Sequence, residues 1–171
     1  MAASRNDSIK KVNKITPDVE RLAGRLRARG EKLATAESCT GGLLAKLLTD
    51  LAGSSDWFER GLITYSNLAK QQLLGVPAQL IETHGAVSRE TAEAMATGLL
   101  RRAPVDWTLS ITGIAGPAGG SAEKPVGLVW IACGQTNGEV ISRDFIFRGG
   151  RESVRAQAAN AALDLLLNRL K

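Results

Sequence analysis

The chain has 171 residues, 44% of them hydrophobic and 23% charged, with a formal net charge of +5 at pH 7. That length buries the core of one ordinary domain and does not divide comfortably into two. No run approaches the ~18 consecutive apolar residues of a membrane helix, and residues 1–14 lack the apolar centre of a signal peptide, so a cytoplasmic protein with no membrane partner is expected. Cys39 and Cys133 stand far apart and outside any C-x-x-C spacing, which argues against a disulfide framework. The basic balance invites a nucleic-acid partner, but Arg5, Lys10, Lys11 and Lys14 against Asp7 place most of it at one end. Residues 1–15 are therefore read as a disordered basic tail, no nucleic acid is expected, and residues 16–171 form the domain.

Thr16 and Pro17 suit an N-cap and first helical residue, and Val19, Leu22, Ala23 and Leu26 keep helical spacing until Gly30 stops the run. Residues 32–36 suggest a short strand that runs into a tight loop at 37–42, after which Leu43, Leu44, Leu47, Leu48 and Leu51 resume a helical period. A second strand is expected over 57–65, with Tyr65 at its end, followed by a helix capped by Asn67 that carries Leu68, Lys70 and Leu73 up to Gly75. Pro77 opens a short helix toward His84. Ser88 caps a longer one whose buried stripe is Ala92, Met95, Ala96 and Leu99. A third strand over 107–112 leads into a glycine-rich loop at 113–120. Two strands, 126–133 and 140–147, form an antiparallel hairpin, and a last helix from about Gly150 buries Val154, Ala158, Ala161 and Leu165.

Alternating strands and helices followed by a hairpin and a helix imply an α/β fold: a three-layer α/β/α sandwich with a mixed sheet of about five strands. Ligands in such sheets gather where strand ends feed loops and helix N-termini, which selects three segments: 38–42, 65–70 and 112–120.

Ser38 precedes a glycine pair and a helix start, where outward amides could cradle a phosphate or stabilise the oxyanion formed when Ser38 attacks a carbonyl. The plainer alternative is that Ser38 or Thr40 caps the helix. A serine nucleophile needs a base, and the single histidine, His84, has no nucleophile or orienting carboxylate at readable spacing. A histidine metal cluster is excluded by the same count. Lysine can serve if burial lowers its pKa, and Lys70 is the candidate, against the ordinary reading of a solvated cation. The loop after Thr112 is neither a Walker A sequence nor a G-x-G-x-x-G fingerprint, leaving a backbone cradle or a plain connection. Cys39 rivals Ser38 as nucleophile if a helix N-terminus lowers its thiol pKa, whereas Cys133 alternates with core residues. Trp57, Trp107 and Trp130 lie in or beside strands and suggest packing rather than a platform for bases.

The run Ala36-Glu37-Ser38-Cys39-Thr40-Gly41-Gly42 closely resembles the opening motif of the CinA C-terminal domain family. Tyr65-Ser66-Asn67 with Lys70, the segment from Thr112 through Gly113, Gly116 and Gly120 to Gly127, and the run 147–155 resemble its further motifs in the right order. The resemblance spans about residues 17–170. It implies a three-layer α/β/α fold and a cofactor-free, metal-free deamidation of nicotinamide mononucleotide in pyridine nucleotide salvage. By resemblance Ser38 is the nucleophile, Lys70 and Tyr65 transfer protons, and Thr112 contacts substrate or intermediate. Thr40, Gly41, Gly42, Gly113 and Gly116 form the cradle, while Arg151 or Arg148 faces the phosphate, whose geometry an arginine fork matches. The expected partner is a small nucleotide substrate, with a homo-oligomer possible; the competing expectation is a non-catalytic nucleotide-binding module.

Overall fold

The computed structural model describes residues 16–171; the expected basic tail lies outside the described residues. In chain order the elements are α1 (Thr16–Arg29), β1 (Leu33–Glu37), α2 (Leu43–Thr49), β2 (Phe58–Ile63), α3 (Asn67–Leu74), α4 (Ala78–His84), α5 (Arg89–Leu100), β3 (Trp107–Gly113), β4 (Leu128–Gln135), β5 (Val140–Ile146) and α6 (Arg151–Arg169). The five strands form one sheet in the order β2-β1-β3-β4-β5. β1 runs parallel to both neighbours, and β3, β4 and β5 pair antiparallel, so the sheet is mixed as expected.

Period-two alternation sends the strand residues to two different layers. On one face Leu33, Trp107, Leu109, Ile111, Val129, Ile131 and Cys133 pack against the apolar stripes of α1, α2 and α6. On the other face the strands carry small residues, among them Ala34, Ala36 and Ala132, and α5 lies close against them. That close approach is fixed by hydrogen bonds: Thr108 Oγ1 donates to Ala96 O (3.2 Å), Ser110 Oγ to Ala92 O (2.6 Å) and Thr112 Oγ1 to Ala86 O (2.7 Å). These bonds satisfy hydroxyls that would otherwise be costly to bury beneath a helix. Ala92, Met95, Ala96 and Leu99 are all buried, as the stripe predicted, and α6 buries Val154, Ala158 and Leu165 with Ala161 at the margin.

Boundaries differ from expectation where a side chain or a glycine sets them. α3 is capped by Ser66, whose hydroxyl accepts from Ala69 N, so Asn67 is the first helical residue rather than the cap. β4 begins at Leu128 and not at Val126 because Gly127 has φ +95°, and a Cβ there would meet Phe147 O at 2.1 Å. Ser88 does cap α5, accepting from Thr91 N at 3.2 Å. No described helix is long and apolar enough to cross a membrane.

Candidate active site

The carboxyl ends of the three parallel strands converge. β1 ends at Glu37 and delivers Ser38, β2 leads through Thr64 to Tyr65, and β3 ends with Thr112 and Gly113. With the loop that follows β3 and the first residue of α6, they line a cavity of about 270 Å³ that includes Ser38, Cys39, Lys70, Thr112, Gly116 and Arg151. A larger cavity, about 520 Å³, lies beyond Val87 against Trp130, Lys124 and Asp144, but neither Ser38 nor Lys70 reaches it. The smaller one is therefore the candidate site.

α3 turns its expected polarity inside out. Leu68 and Leu73 face solvent while Lys70 is only 1% exposed. Lys70 Nζ lies 3.0 Å from Ser38 Oγ, 2.9 Å from Thr64 O and 3.3 Å from Tyr65 O. Burial lowers the Lys70 pKa below the ordinary lysine value, and negative charge on the neighbouring Cys39 acts in the opposite direction as the lesser cause. A neutral amine has two N–H groups and one lone pair. Donating the two N–H groups to the Thr64 and Tyr65 carbonyls leaves the lone pair for the Ser38 hydroxyl proton.

Tyr65 joins the site twice. Its carbonyl holds Lys70, and its exposed phenol accepts a hydrogen bond from Arg151 Nη2 at 2.9 Å, which leaves the phenolic proton free to donate into the cavity. Arg151 Nη1 donates to Gly116 O at 2.9 Å, so this guanidinium ties the glycine loop to Tyr65 across the cavity mouth. Thr112 is buried, its proton committed to Ala86 O, with lone pairs remaining to accept.

The structure corrects the reading of residues 38–42. α2 is not capped by Ser38 or Thr40. Its first amides belong to Glu37, whose carboxylate accepts from Gly42 N (3.1 Å), Leu44 N (3.1 Å) and Ala45 N (2.8 Å). Gly41 N donates to Ser38 O. The Gly41 and Gly42 amides are thus already occupied, and neither a phosphate cradle nor an oxyanion hole can be built from them. Thr40, Gly41 and Gly42 do not line the cavity; Thr40 O is held instead by Arg155 Nη2 at 2.6 Å.

Cys39 lines the cavity beside Ser38, but burial pushes its thiol up to about 11, the opposite of an activated nucleophile. Arg148 lies outside the cavity lining. His84 ends α4, its Nδ1 3.7 Å from Glu90 Oε2, and takes no part in the cavity that holds Ser38. Sequence reasoning gave Glu37 and Arg155 no role and read the cavity-lining Asn67 only as a helix cap, although all three lie in the quoted motifs or beside their named residues. An acidic residue at the end of a buried strand is the one signal that pointed to Glu37.

The model of the CinA C-terminal domain matches residues 16–170. The chain belongs to that family. Nicotinamide-nucleotide amidohydrolase PncC of Escherichia coli (strain K12) is 53% identical over 147 residues, which cover 86% of this chain and 89% of that protein. A CinA-like protein of Syntrophobacter fumaroxidans is 58% identical over 149 residues, but these make up only 35% of its length. Among solved structures, competence/damage inducible protein CihA from Agrobacterium tumefaciens superposes with a TM-score of 0.82 at 43% identity, covering 98% of this chain and 99% of that one. A CinA superfamily protein from Escherichia coli superposes with a TM-score of 0.87 at 36% identity, covering 99% of this chain and 94% of that one.

Proposed function

We propose that this CinA-family domain is a nicotinamide-nucleotide amidase, hydrolysing the carboxamide of nicotinamide mononucleotide to the carboxylate and ammonia in pyridine nucleotide salvage. The supporting comparison is the 53% identity to a protein named for that activity. The observation that carries the chemistry is the buried Lys70 amine 3.0 Å from Ser38 Oγ.

Ser38 Oγ attacks the carboxamide carbon while its proton passes to the lone pair of Lys70 Nζ. A carbon–oxygen bond forms and the carbonyl electrons move to oxygen. Collapse of the tetrahedral intermediate breaks the carbon–nitrogen bond. The nitrogen leaves as ammonia, its third proton supplied by Lys70 directly or through the Tyr65 phenol. Water then attacks the acyl carbon and gives a proton to Lys70; collapse breaks the bond to Ser38 Oγ, Lys70 returns that proton to Oγ, and nicotinate mononucleotide leaves with its new carboxylic acid losing its proton to solvent. Lys70 ends as it began, and nothing is oxidised or reduced.

Arg151 supports a phosphate-bearing substrate. Only two of its five N–H donors are spent on Gly116 O and Tyr65 Oη, so the remainder can meet a phosphate at the mouth while the ring lies inward toward Ser38. The test is ammonia release from nicotinamide mononucleotide by purified protein, with a chelator present and Ser38→Ala alongside. Release by the parent that is lost in the variant is expected. A folded parent that releases none would overturn the amidase reading, and full turnover by Ser38→Ala would overturn the nucleophile.

A further inference from the structure

Glu37 is buried to 1% exposure and forms no ion pair among the described residues, an expensive arrangement for a carboxylate. Three backbone N–H bonds compensate it, all from the start of α2. The N-cap position cannot supply the acceptor itself. Its backbone is left-handed (φ +92°), which favours glycine over a capping serine, threonine or aspartate, and Gly42 offers no side chain. The acceptor therefore reaches back from the residue that precedes Ser38.

Reaching back has a geometric consequence. The carboxylate–amide bonds close a ring around residues 38–41, so the chain on both sides of Ser38 is held by one side chain. The main chain of Glu37 extends the hold to the base: its carbonyl accepts from Thr64 N at 2.8 Å, and Thr64 O in turn accepts from Lys70 Nζ at 2.9 Å. On the sheet side Ser38 N donates to Ile111 O at 2.9 Å, and from α6 Arg155 holds Thr40 O. Glu37 is therefore the one residue linked both to Ser38 through the peptide bond and to the carbonyl that orients Lys70.

We propose that Glu37 is a positioning residue for the amidase reaction: its carboxylate occupies the α2 amides as an internal anion and thereby sets the placement of Ser38 against Lys70. The inference rests on the reading of Ser38 as nucleophile. It also requires that no substrate anion use the α2 amides, since the protein has already supplied one.

The variants are Glu37→Gln, Glu37→Asp and Glu37→Ala, each assayed for ammonia release from nicotinamide mononucleotide and for thermal unfolding. Glutamine keeps the shape but turns an NH₂ toward backbone N–H donors, which releases part of the ring. A misplacement of about 1 Å at a reacting pair costs about 100-fold, so kcat should fall by about that factor with KM changed less than about threefold. Glu37→Ala opens an anion-sized gap, and sodium formate, compared with sodium chloride at equal ionic strength, should restore kcat saturably. A purely structural role would lower the unfolding temperature and leave kcat of the folded enzyme alone. Glu37→Gln with kcat within about threefold of the parent overturns the proposal, because the ring would then not govern the reacting geometry. Should the glutamine variant not fold, Glu37→Asp, which keeps the charge and retracts it by one methylene, is read by the same criterion. The parent and Ser38→Ala run in the same series, so a failure of the amidase reading shows there and a failure of the Glu37 inference only in the Glu37 variants.

Discussion

Lys70→Met separates the chemistry from the fold. Methionine occupies similar space without an amine, so Thr64 O, Tyr65 O and Ser38 Oγ all lose the Lys70 contact. The buried Thr64 carbonyl left unpartnered costs about 1–3 kcal/mol, and the part-buried Tyr65 carbonyl, which water can reach, less. Against that loss stands the penalty of burying an ammonium, which is several kcal/mol and which methionine does not carry. The two nearly cancel near neutral pH, so the unfolding temperature should stay within about 8 °C of the parent. Turnover should not survive, because removing a general base costs about 100- to 10,000-fold in rate.

The pH dependence distinguishes this account from a general loss of packing. Burial lowers the folded-state pKa of Lys70, so between that value and its unfolded value the unfolded chain binds more protons than the folded one. Parent stability therefore rises with pH across that window, and the burial penalty is fully present below it. Methionine removes the rise, so the variant's stability relative to the parent should decline as pH increases. Parent kcat/KM should climb in the same direction as the amine becomes neutral, with a midpoint below that of an ordinary lysine and a plateau above that midpoint. Ammonia release and thermal unfolding measured from about pH 6 to about pH 10 read both effects. A Lys70→Met protein with kcat within about threefold of the parent would refute the assignment of Lys70 as base.

Arg151→Ala should raise KM for nicotinamide mononucleotide by about 10- to 150-fold, the equivalent of losing charge-assisted bonds worth about 1.5–3 kcal/mol. Nicotinamide riboside, which lacks the phosphate, should lose less than the mononucleotide, because for it Arg151→Ala removes only the contacts to Tyr65 and Gly116, and Arg148→Ala should leave KM for the mononucleotide unchanged; equal effects on both substrates would remove Arg151 from the phosphate. Cys39→Ala should retain turnover, since a thiol pushed up to about 11 is protonated at neutral pH; loss of activity with the fold intact would reopen its candidacy. Gly98→Ala places a Cβ 2.0 Å from Leu74 O, a backbone atom of α3, and should cost about 1–3 kcal/mol, read as a lower unfolding temperature.

How far the sequence was readable depended on which residues carried periodic information. The sheet and its two helical layers were legible because apolar residues recur with the right periods, and the three segments singled out at strand ends supplied most of the lining of one cavity. Lys70 as a cavity residue was not legible from pattern. α3 exposes Leu68 and Leu73 and buries a lysine, so its periodicity pointed the wrong face inward; Lys70 entered as a candidate because a serine nucleophile needs a base, and the family resemblance then strengthened it. The oxyanion reading of Gly41 and Gly42 failed for a different reason. Helix amides are an anion site only while no side chain occupies them, and the occupant, Glu37, lies five to eight residues earlier and across a loop. Local spacing rules for capping extend three residues and could not find it.

The position of the site follows from the order in which the chain lays down its strands. β1 is placed first, β2 is added on one side of it, and the chain then crosses back to place β3 on the other, so the connections that follow β1 and β3 run in opposite directions across the sheet. At such a switch point the loops diverge and open a crevice beyond the carboxyl ends of the strands. Ser38 emerges from β1, and Thr112 from β3, at the two sides of that crevice. Lys70 belongs to the helix after β2 and reaches the same place only because α3 turns one long side chain inward beneath Thr64 and Tyr65. A histidine could not substitute there without losing one of the two carbonyl bonds, since a neutral imidazole has a single N–H to donate. The backbone that follows β2 therefore favours an amine at this position, and burial shifts its pKa in the direction that the proposed role of base needs.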